Sequence, residues 1–264
     1  LKMNRIDKKF KELRKNRKKA FIAFLTAGYP DLVTTEKLAL EFEKNGVDII
    51  ELGVPFSDPI ADGPVIQASS YAALKKGVTL KKILSSVSRL RRKSAIPLAA
   101  MSYFNPILHY GLLRFIKDAV KAGLDAVIVP DLPPEEEKDF VKEALNAGLY
   151  VIRFIAPTTS LARARYIAAT ARGFIYFVSL TGVTGARSSL PEGLRLQLSS
   201  VKKAAGFIPV CAGFGVSTPA QARLVFSMCD GVIVGSAIVK MISKHIGRPG
   251  LISAAGAFVN KLKG

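Results

Sequence analysis

Three carboxylic acids lie close together in the segment ELGVPFSDPIADGP, which covers residues 51–64. Glu51 closes a short apolar run, and Asp58 and Asp62 follow in a connection interrupted by proline and glycine. Carboxyl groups beside one strand end are candidates for acid/base catalysis, and those on a loop can join the site when the substrate binds. The alternative is a solvated turn, because Asp, Pro and Gly are also common turn residues.

The chain as a whole repeats a pattern of apolar strands followed by amphipathic helices. Eight strands are predicted near residues 20–25, 47–53, 96–102, 125–130, 149–156, 174–180, 207–213 and 230–234. Helices are predicted at 35–45, 112–122, 134–147, 161–171, 194–205 and 217–228. Eight such units favour an α/β fold, a (β/α)8 TIM barrel that forms one domain over residues 1–264. An open doubly wound sheet is the less favoured alternative, since the dinucleotide-binding glycine pattern is missing.

In such a barrel the functional residues lie where the strands end. The candidates at these ends are Thr26, Glu51, Tyr103, Asn105, Asp131, Tyr176, Gly213, Phe214, Gly215, Gly235 and Ser236. They include no lysine suited to Schiff-base chemistry and no cluster with metal-ligand spacing, so no metal site is predicted. The residue types support acid/base chemistry by Glu51 and an aspartate.

Three glycine-rich segments predict where an anion binds. They are TGVTG at 181–185, GFG at 213–215 and GS at 235–236, after the sixth, seventh and eighth predicted strands. Backbone N–H groups at such turns, with the N-terminus of a short extra helix after the last strand, form a phosphate site. We expect Ser236 to be the N-cap of that helix. Each segment alone is also compatible with a simple tight turn.

A formal net charge of +19 invites comparison with nucleic-acid-binding proteins. Ten of the first nineteen residues are Lys or Arg, but Ile6, Phe10 and Leu13 share one helical face. We therefore expect residues 1–19 to form a basic helix that caps the bottom of the barrel and leaves its charges in solvent. A second basic group at 81–93 has no accompanying aromatic stacking motif, so a nucleic-acid partner is not favoured.

The remaining composition predicts a protein of the cytoplasm. No apolar run reaches the roughly 18 residues that a membrane span needs, and no signal-peptide pattern is recognised. Cys211 and Cys229 lie in apolar patterns and are expected to be reduced core residues.

Six motifs together carry a family resemblance. Besides residues 51–64 they are FLTAGYP at 24–30, YFNP at 103–106, TGVTGARSSLP at 181–191, GFGVSTPAQA at 213–222 and GSAIVK at 235–240. With these motifs the sequence resembles the tryptophan synthase α subunit over nearly its whole length. The resemblance implies retro-aldol cleavage of indole-3-glycerol phosphate to indole and glyceraldehyde 3-phosphate, in tryptophan biosynthesis. It also implies a β-subunit partner in an α2β2 heterotetramer, with pyridoxal phosphate in the β subunit only and no cofactor in this chain.

The resemblance also implies roles for individual residues. Glu51 matches the acid/base that serves indole C3 and the neighbouring hydroxyl, and Asp62 matches the second catalytic acid, which stabilises charge on the indole nitrogen. Tyr176 matches an active-site tyrosine that orients the substrate or Glu51; the alternative is a core tyrosine. Substrate contacts are implied for Phe24, Tyr103, Thr184, Gly185, Phe214, Gly215, Gly235 and Ser236.

Loops 55–63 and 182–187 are interpreted as lids, and Asp58 is assigned to the loop or to the interface with the β subunit. A free-standing indole-3-glycerol-phosphate lyase shares these motifs and is one alternative function. A basic nucleic-acid-binding protein is the alternative from a different class.

Overall fold

The strands of the protein close into a barrel. The computed structural model describes residues 3–136, 138–178 and 193–264. The strands within these ranges are β1 (Ala20–Thr26), β2 (Ile49–Gly53), β3 (Leu98–Met101), β4 (Ala126–Ile128), β5 (Tyr150–Ile155), β6 (Ile175–Val178), β7 (Val210–Gly213) and β8 (Gly231–Val234). All neighbours are parallel, and β8 pairs with β1. The predicted (β/α)8 barrel is confirmed, and the open doubly wound sheet is excluded.

Helices surround this barrel. In the described ranges they are α1 (Arg5–Lys15), α2 (Leu32–Lys44), α3 (Pro64–Lys75), α4 (Leu80–Arg91), α5 (Phe104–Tyr110), α6 (Leu112–Ala122), α7 (Lys138–Asn146), α8 (Leu161–Thr170), α9 (Leu194–Ala205), α10 (Pro219–Phe226), α11 (Ser236–His245) and α12 (Leu251–Lys263). Each predicted helical segment overlaps one of them. Side-chain caps set helix starts that the periodicity did not predict. Asp31 accepts the Thr34 N–H, so α2 begins at Leu32 rather than at residue 35, and Thr218 caps α10, which begins at Pro219. No described helix is long and apolar enough to cross a membrane.

Alternate residues of each strand face opposite sides, and this alternation creates two apolar layers. The inward residues, among them Ile22, Ile49 and Ile152, fill the barrel, while the outward residues pack beneath the helices. Cys211 and Cys229 are both buried and reduced, as predicted.

Helix α1 closes the bottom of the barrel, as the sequence predicted. Ile6, Phe10 and Leu13 are buried and join the cluster of inward strand residues. The Phe10 ring lies 6.0 Å from the ring of Phe174, which directly precedes β6. The hydrophobic face of this basic helix therefore belongs to the core, and its charges lie outside.

Some of the basic residues have structural partners at this end. Arg5 and Arg91 pair with Asp125 at 2.9 and 3.1 Å, and the same carboxylate accepts the N–H of Leu98 at 2.9 Å. The Asp125 side chain is only 3% exposed, so the two guanidinium groups compensate a buried charge.

We predict that Ile6→Ala destabilises the protein, because Ile6 is completely buried and its truncation leaves a cavity between α1 and the barrel. The expected loss in the free energy of unfolding is about 2–5 kcal/mol, measured by urea denaturation. Lys8→Ala, at an exposed position of the same helix, is the matched control and is expected to change stability by less than about 0.5 kcal/mol. Equal stability of both variants would show that α1 does not contribute to the core.

Candidate active site

Glu51 points into the barrel near the C-terminal end of β2. It lies beside Phe24 of β1 and Ala99 of β3 in the strand register and is 1% exposed. Among the described residues, Oε2 of Glu51 has no hydrogen-bond partner. Burial, followed by repulsion from Asp62, raises the pKa of Glu51 to about 8. A carboxyl group that stays protonated at neutral pH can act as a general acid.

Asp62 approaches the same space from the loop between β2 and α3. Burial raises the pKa of Asp62 to about 6, and a hydrogen bond from Tyr103 opposes this rise. Asp62 is less buried than Glu51, so it ionises at lower pH. The two carboxyl groups therefore hold different protonation states near neutral pH. By contrast, Asp58 is exposed and accepts a hydrogen bond from Ser57, which agrees with its assignment to the loop itself.

Tyr103 holds this loop in place. Its hydroxyl accepts the Ala61 N–H at 2.8 Å and bonds to the carboxylate of Asp62, and its ring lies 5.2 Å from the Phe56 ring. The carboxylate of Asp131, after β4, accepts the Phe104 N–H at 2.9 Å and so fixes the turn that carries Tyr103. Three strand ends thus position Asp62.

Tyr176 lies within β6, on the inward side of the barrel. Its ring is 5.0 Å from the Phe154 ring. Burial raises the pKa of the Tyr176 hydroxyl well above its ordinary value, and the charges of Glu51 and Asp62 add to this effect. The hydroxyl therefore stays protonated in the same electrostatic environment as the two carboxyl groups.

An apolar cluster lies above Glu51. Phe24, Ile66 and Val239 form its buried part, and Val65 and Met101 pack against it. A Cβ atom at Gly53 would lie 2.3 Å from Cζ of Phe24, so glycine is required there for the ring to fit. Sequence reasoning predicted Phe24 but missed Ile66 and Val239, because helical periodicity indicates that such residues are buried without indicating their neighbours.

The predicted aromatic contacts do not form one cluster. Phe214 packs on Phe177, with ring centroids 5.6 Å apart, in the layer between barrel and helices. Phe24 lies in the cluster above Glu51, and Tyr103 lies against the loop after β2. Of the other strand-end candidates, Thr26 shares a 2.7 Å hydrogen bond with Ser69 of α3, and Asn105 is exposed.

Glycine turns follow β7 and β8, and the second of them leads directly into α11. Gly215 has a φ of 67°, a conformation that favours glycine. The prediction that Ser236 is the N-cap is wrong. The carbonyl of Gly235 accepts the first helical bond, from Val239 N–H at 3.0 Å, so Gly235 is the N-cap and Ser236 is the first helical residue. Helix α11 follows β8 directly, and its N-cap residue, Gly235, has no side chain that could bond its first N–H groups. Thr184 and Gly185 lie outside the described residues.

A closed (β/α)8 barrel with two carboxyl groups of raised pKa, one near the C-terminal end of β2 and one on the loop that follows it, has the features of an enzyme of the barrel class with an acid/base site at this end.

Comparison with known proteins agrees with this class. The sequence profile of the family described as "Tryptophan synthase alpha chain" matches residues 10–257. The tryptophan synthase alpha chain of Geotalea daltonii (strain DSM 22248 / JCM 15807 / FRC-32) is 52% identical over 246 residues, 93% of each chain. That of Thermoanaerobacter sp. (strain X514) is 46% identical over 261 residues, 99% of each chain. A crystal structure of the tryptophan synthase alpha chain from Legionella pneumophila subsp. pneumophila superposes with a TM-score of 0.91 at 38% identity, covering 99% of this chain and 96% of that one.

The chain therefore belongs to the tryptophan synthase alpha chain family. It is a lyase of tryptophan biosynthesis, and the function inferred from the sequence motifs is confirmed at this level.

We predict that Glu51→Gln stabilises the protein increasingly as pH rises. The folded-state pKa of about 8 lies above the ordinary value of 4.5, so the wild type loses stability between these values, because ionisation favours the unfolded chain. The variant cannot ionise there. Its advantage in the free energy of unfolding should grow by at most about 1.4 kcal/mol per pH unit from pH 5 and level off above pH 8. Asp58→Asn is the control, and parallel curves for wild type and Glu51→Gln would contradict the raised pKa.

Gly53→Ala should impair substrate binding, because the added methyl group displaces the Phe24 ring towards the space above Glu51. We expect kcat/KM for indole-3-glycerol phosphate to fall at least about tenfold, from a loss of more than about 1.4 kcal/mol. Adding Phe24→Leu, which removes the clashing Cζ atom, should recover part of the loss relative to Phe24→Leu alone. An unchanged kcat/KM in Gly53→Ala would show that the ring position is not important.

Proposed function

We propose that this chain cleaves indole-3-glycerol phosphate with Glu51 and Asp62 as its two catalytic acids. The observation that carries the proposal is the buried Glu51 carboxyl group, with one oxygen that lacks a described hydrogen-bond partner and a pKa of about 8. Protonated Glu51 delivers its proton to C3 of the indole ring. Asp62, with its lower pKa of about 6, remains ionised and accepts the indole N–H while positive charge develops on the nitrogen.

The second half of the reaction returns the proton to Glu51. The Glu51 carboxylate takes the proton of the hydroxyl group next to the breaking bond, and that C–O bond becomes a carbonyl. The electron pair of the C–C bond returns to the ring, so indole and glyceraldehyde 3-phosphate are released and Glu51 is protonated again. Tyr176, a neutral donor beside both carboxyl groups, orients Glu51 or the substrate in this scheme.

The substrate is held at its two ends. The apolar cluster around Phe24, with Ile66 and Val239, accommodates the planar ring. The phosphate binds to the N–H groups at Gly215, Gly235 and Ser236, where the positive end of α11 adds to the attraction. Thr184 and Gly185, from the segment after β6, complete this part of the proposal, with Phe214 supporting the phosphate side.

We further propose a β-subunit partner on the face that carries the strand ends. The loop after β2 and helix α5 present Ile60, 86% exposed, and Leu108, 53% exposed, beside the residues that position Asp62. Contact there would order the loop that delivers Asp62 and complete an α2β2 heterotetramer. This chain needs no cofactor of its own in the proposal, pyridoxal phosphate belongs to the β subunit, and the complex works in the cytoplasm.

Glu51→Gln and Asp62→Asn should each lower kcat for indole release by about 10²- to 10⁴-fold, the usual contribution of a positioned acid or base. Substrate affinity should stay close to that of the wild type, because the phosphate is bound elsewhere. Asp58→Asn is the matched control, since Asp58 lies on the same loop but is exposed. Near-normal turnover in either variant would remove that residue from the mechanism.

Adding the β subunit should increase kcat for indole release by the isolated chain, because the loop of Asp62 becomes ordered. The measurement compares initial rates with and without equimolar β subunit. Ile60→Asp, which places a charge on the proposed interface, should weaken the activation and leave the basal rate unchanged. A fast basal rate that the β subunit does not alter would favour the free-standing lyase instead.

A further inference from the structure

We propose that the bottom of the barrel, opposite the catalytic end, binds single-stranded nucleic acid. The surface concerned, called the basic face below, consists of Arg14, Arg17, Lys18 and Lys19 at the end of α1 together with Phe207 after α9. All five side chains are exposed.

The positive charge of the basic face is not neutralised by the acids of α1. Residues 3–19 contain nine Lys and Arg residues against two acids, Asp7 and Glu12. Asp7 accepts a hydrogen bond from Tyr150, and Glu12 pairs with Lys9 at 3.1 Å. In the described part of the chain, Arg14, Arg17 and Lys18 have no acidic partner within 4.0 Å. A cluster of exposed cations of this kind attracts a polyanion.

The cations surround a concavity of about 270 Å³. Its wall includes the four cationic residues of the basic face, with Pro209 and Asp230 on the other side. Asp230 is the acidic group there, and Lys19 and Lys202 approach its carboxylate to 3.6 and 3.0 Å. Two ammonium groups thus compensate the one carboxylate, and the concavity as a whole is positive.

Arg17 occupies a backbone conformation that glycine normally provides. Its φ is 54°, and the following N–H of Lys18 closes the helix by bonding to the Leu13 carbonyl at 2.8 Å. An arginine there costs conformational free energy that glycine avoids. The structure thus has a cation at a position where the backbone favours glycine, and its side chain lies exposed beside Arg14 and Lys18.

Phe207 supplies an aromatic surface beside these cations. It is 90% exposed, and Arg14 Nη2 donates to its carbonyl at 3.1 Å. An exposed ring next to phosphate-binding cations is how proteins bind unpaired bases. A membrane surface fits less well, because the apolar residues of α1 are buried against the barrel and leave no apolar helix face for lipid.

The test measures binding of a fluorescein-labelled 20-nucleotide oligouridine by fluorescence anisotropy at 50 to 300 mM NaCl. The triple variant Arg14→Ala/Arg17→Ala/Lys18→Ala should bind at least about tenfold more weakly at 100 mM, and its slope of log affinity against log salt should be shallower by about 2. The control Lys81→Ala/Lys93→Ala/Lys117→Ala removes the same charge from exposed lysines around the barrel wall. It should stay within about twofold of the wild type. Equal losses in both triples would overturn the proposal, because net charge alone would then explain binding.

Two single variants separate the aromatic and the backbone contributions. Phe207→Leu should weaken oligouridine binding about fivefold or more and leave the competition by inorganic polyphosphate, which has no bases, unchanged. Arg17→Gly should weaken binding while its melting temperature stays equal to or above that of the wild type. Both should retain wild-type indole release, which shows that the barrel is intact.

Unchanged oligouridine affinity in both single variants would overturn the proposal. Tighter binding to vesicles with 30% phosphatidylserine than to oligouridine would also overturn it and assign the basic face to membranes.

Discussion

Closing eight parallel strands into one barrel forces every second residue of each strand into a shared interior, and the chemistry of this protein depends on that constraint. On β2 the inward positions are Ile49, Glu51 and Gly53. Ile49 belongs to the packed bottom layer, and Gly53 leaves room for Phe24 at the mouth. Glu51 lies between them, buried in a low-dielectric interior that favours its neutral form.

The second carboxyl group, that of Asp62, can take a different role because its surroundings differ from those of Glu51. Asp62 is carried by a loop and is partly solvated, so its pKa rises less than that of Glu51. Tyr103 and the backbone of Ala61 link this loop to the end of β3. Two acids of the same chemical type therefore hold different protonation states at one pH, which is what a reaction with separate acid and charge-stabilising roles requires.

The two ends of the barrel meet different physical demands. At the bottom, α1 covers the inward residues, and Asp125 forms ion pairs with Arg5 and Arg91. The contacts at this end therefore stabilise the fold. At the mouth, the N-cap of α11 is Gly235, which has no side chain to bond the first N–H groups of the helix, and such groups are suited to binding an anion. Arg14, Arg17 and Lys18, which have no acidic partner among the described residues, lie at the end of the barrel opposite the catalytic site. A ligand bound to them would not block the substrate.

The sequence by itself determined the strand order and the burial of Ile6, Phe10 and Leu13, and it singled out Glu51 and Asp62 as candidates for the chemistry. Periodicity and motif spacing are properties of the local sequence, so they can be recognised without a structure. Only the tertiary structure decided which distant residues meet. It made Gly235 rather than Ser236 the N-cap, placed Phe214 on Phe177, and brought Phe207 beside Arg14. Such contacts arise from the closure of the barrel and from where each helix starts on it, and no local pattern of residues encodes either.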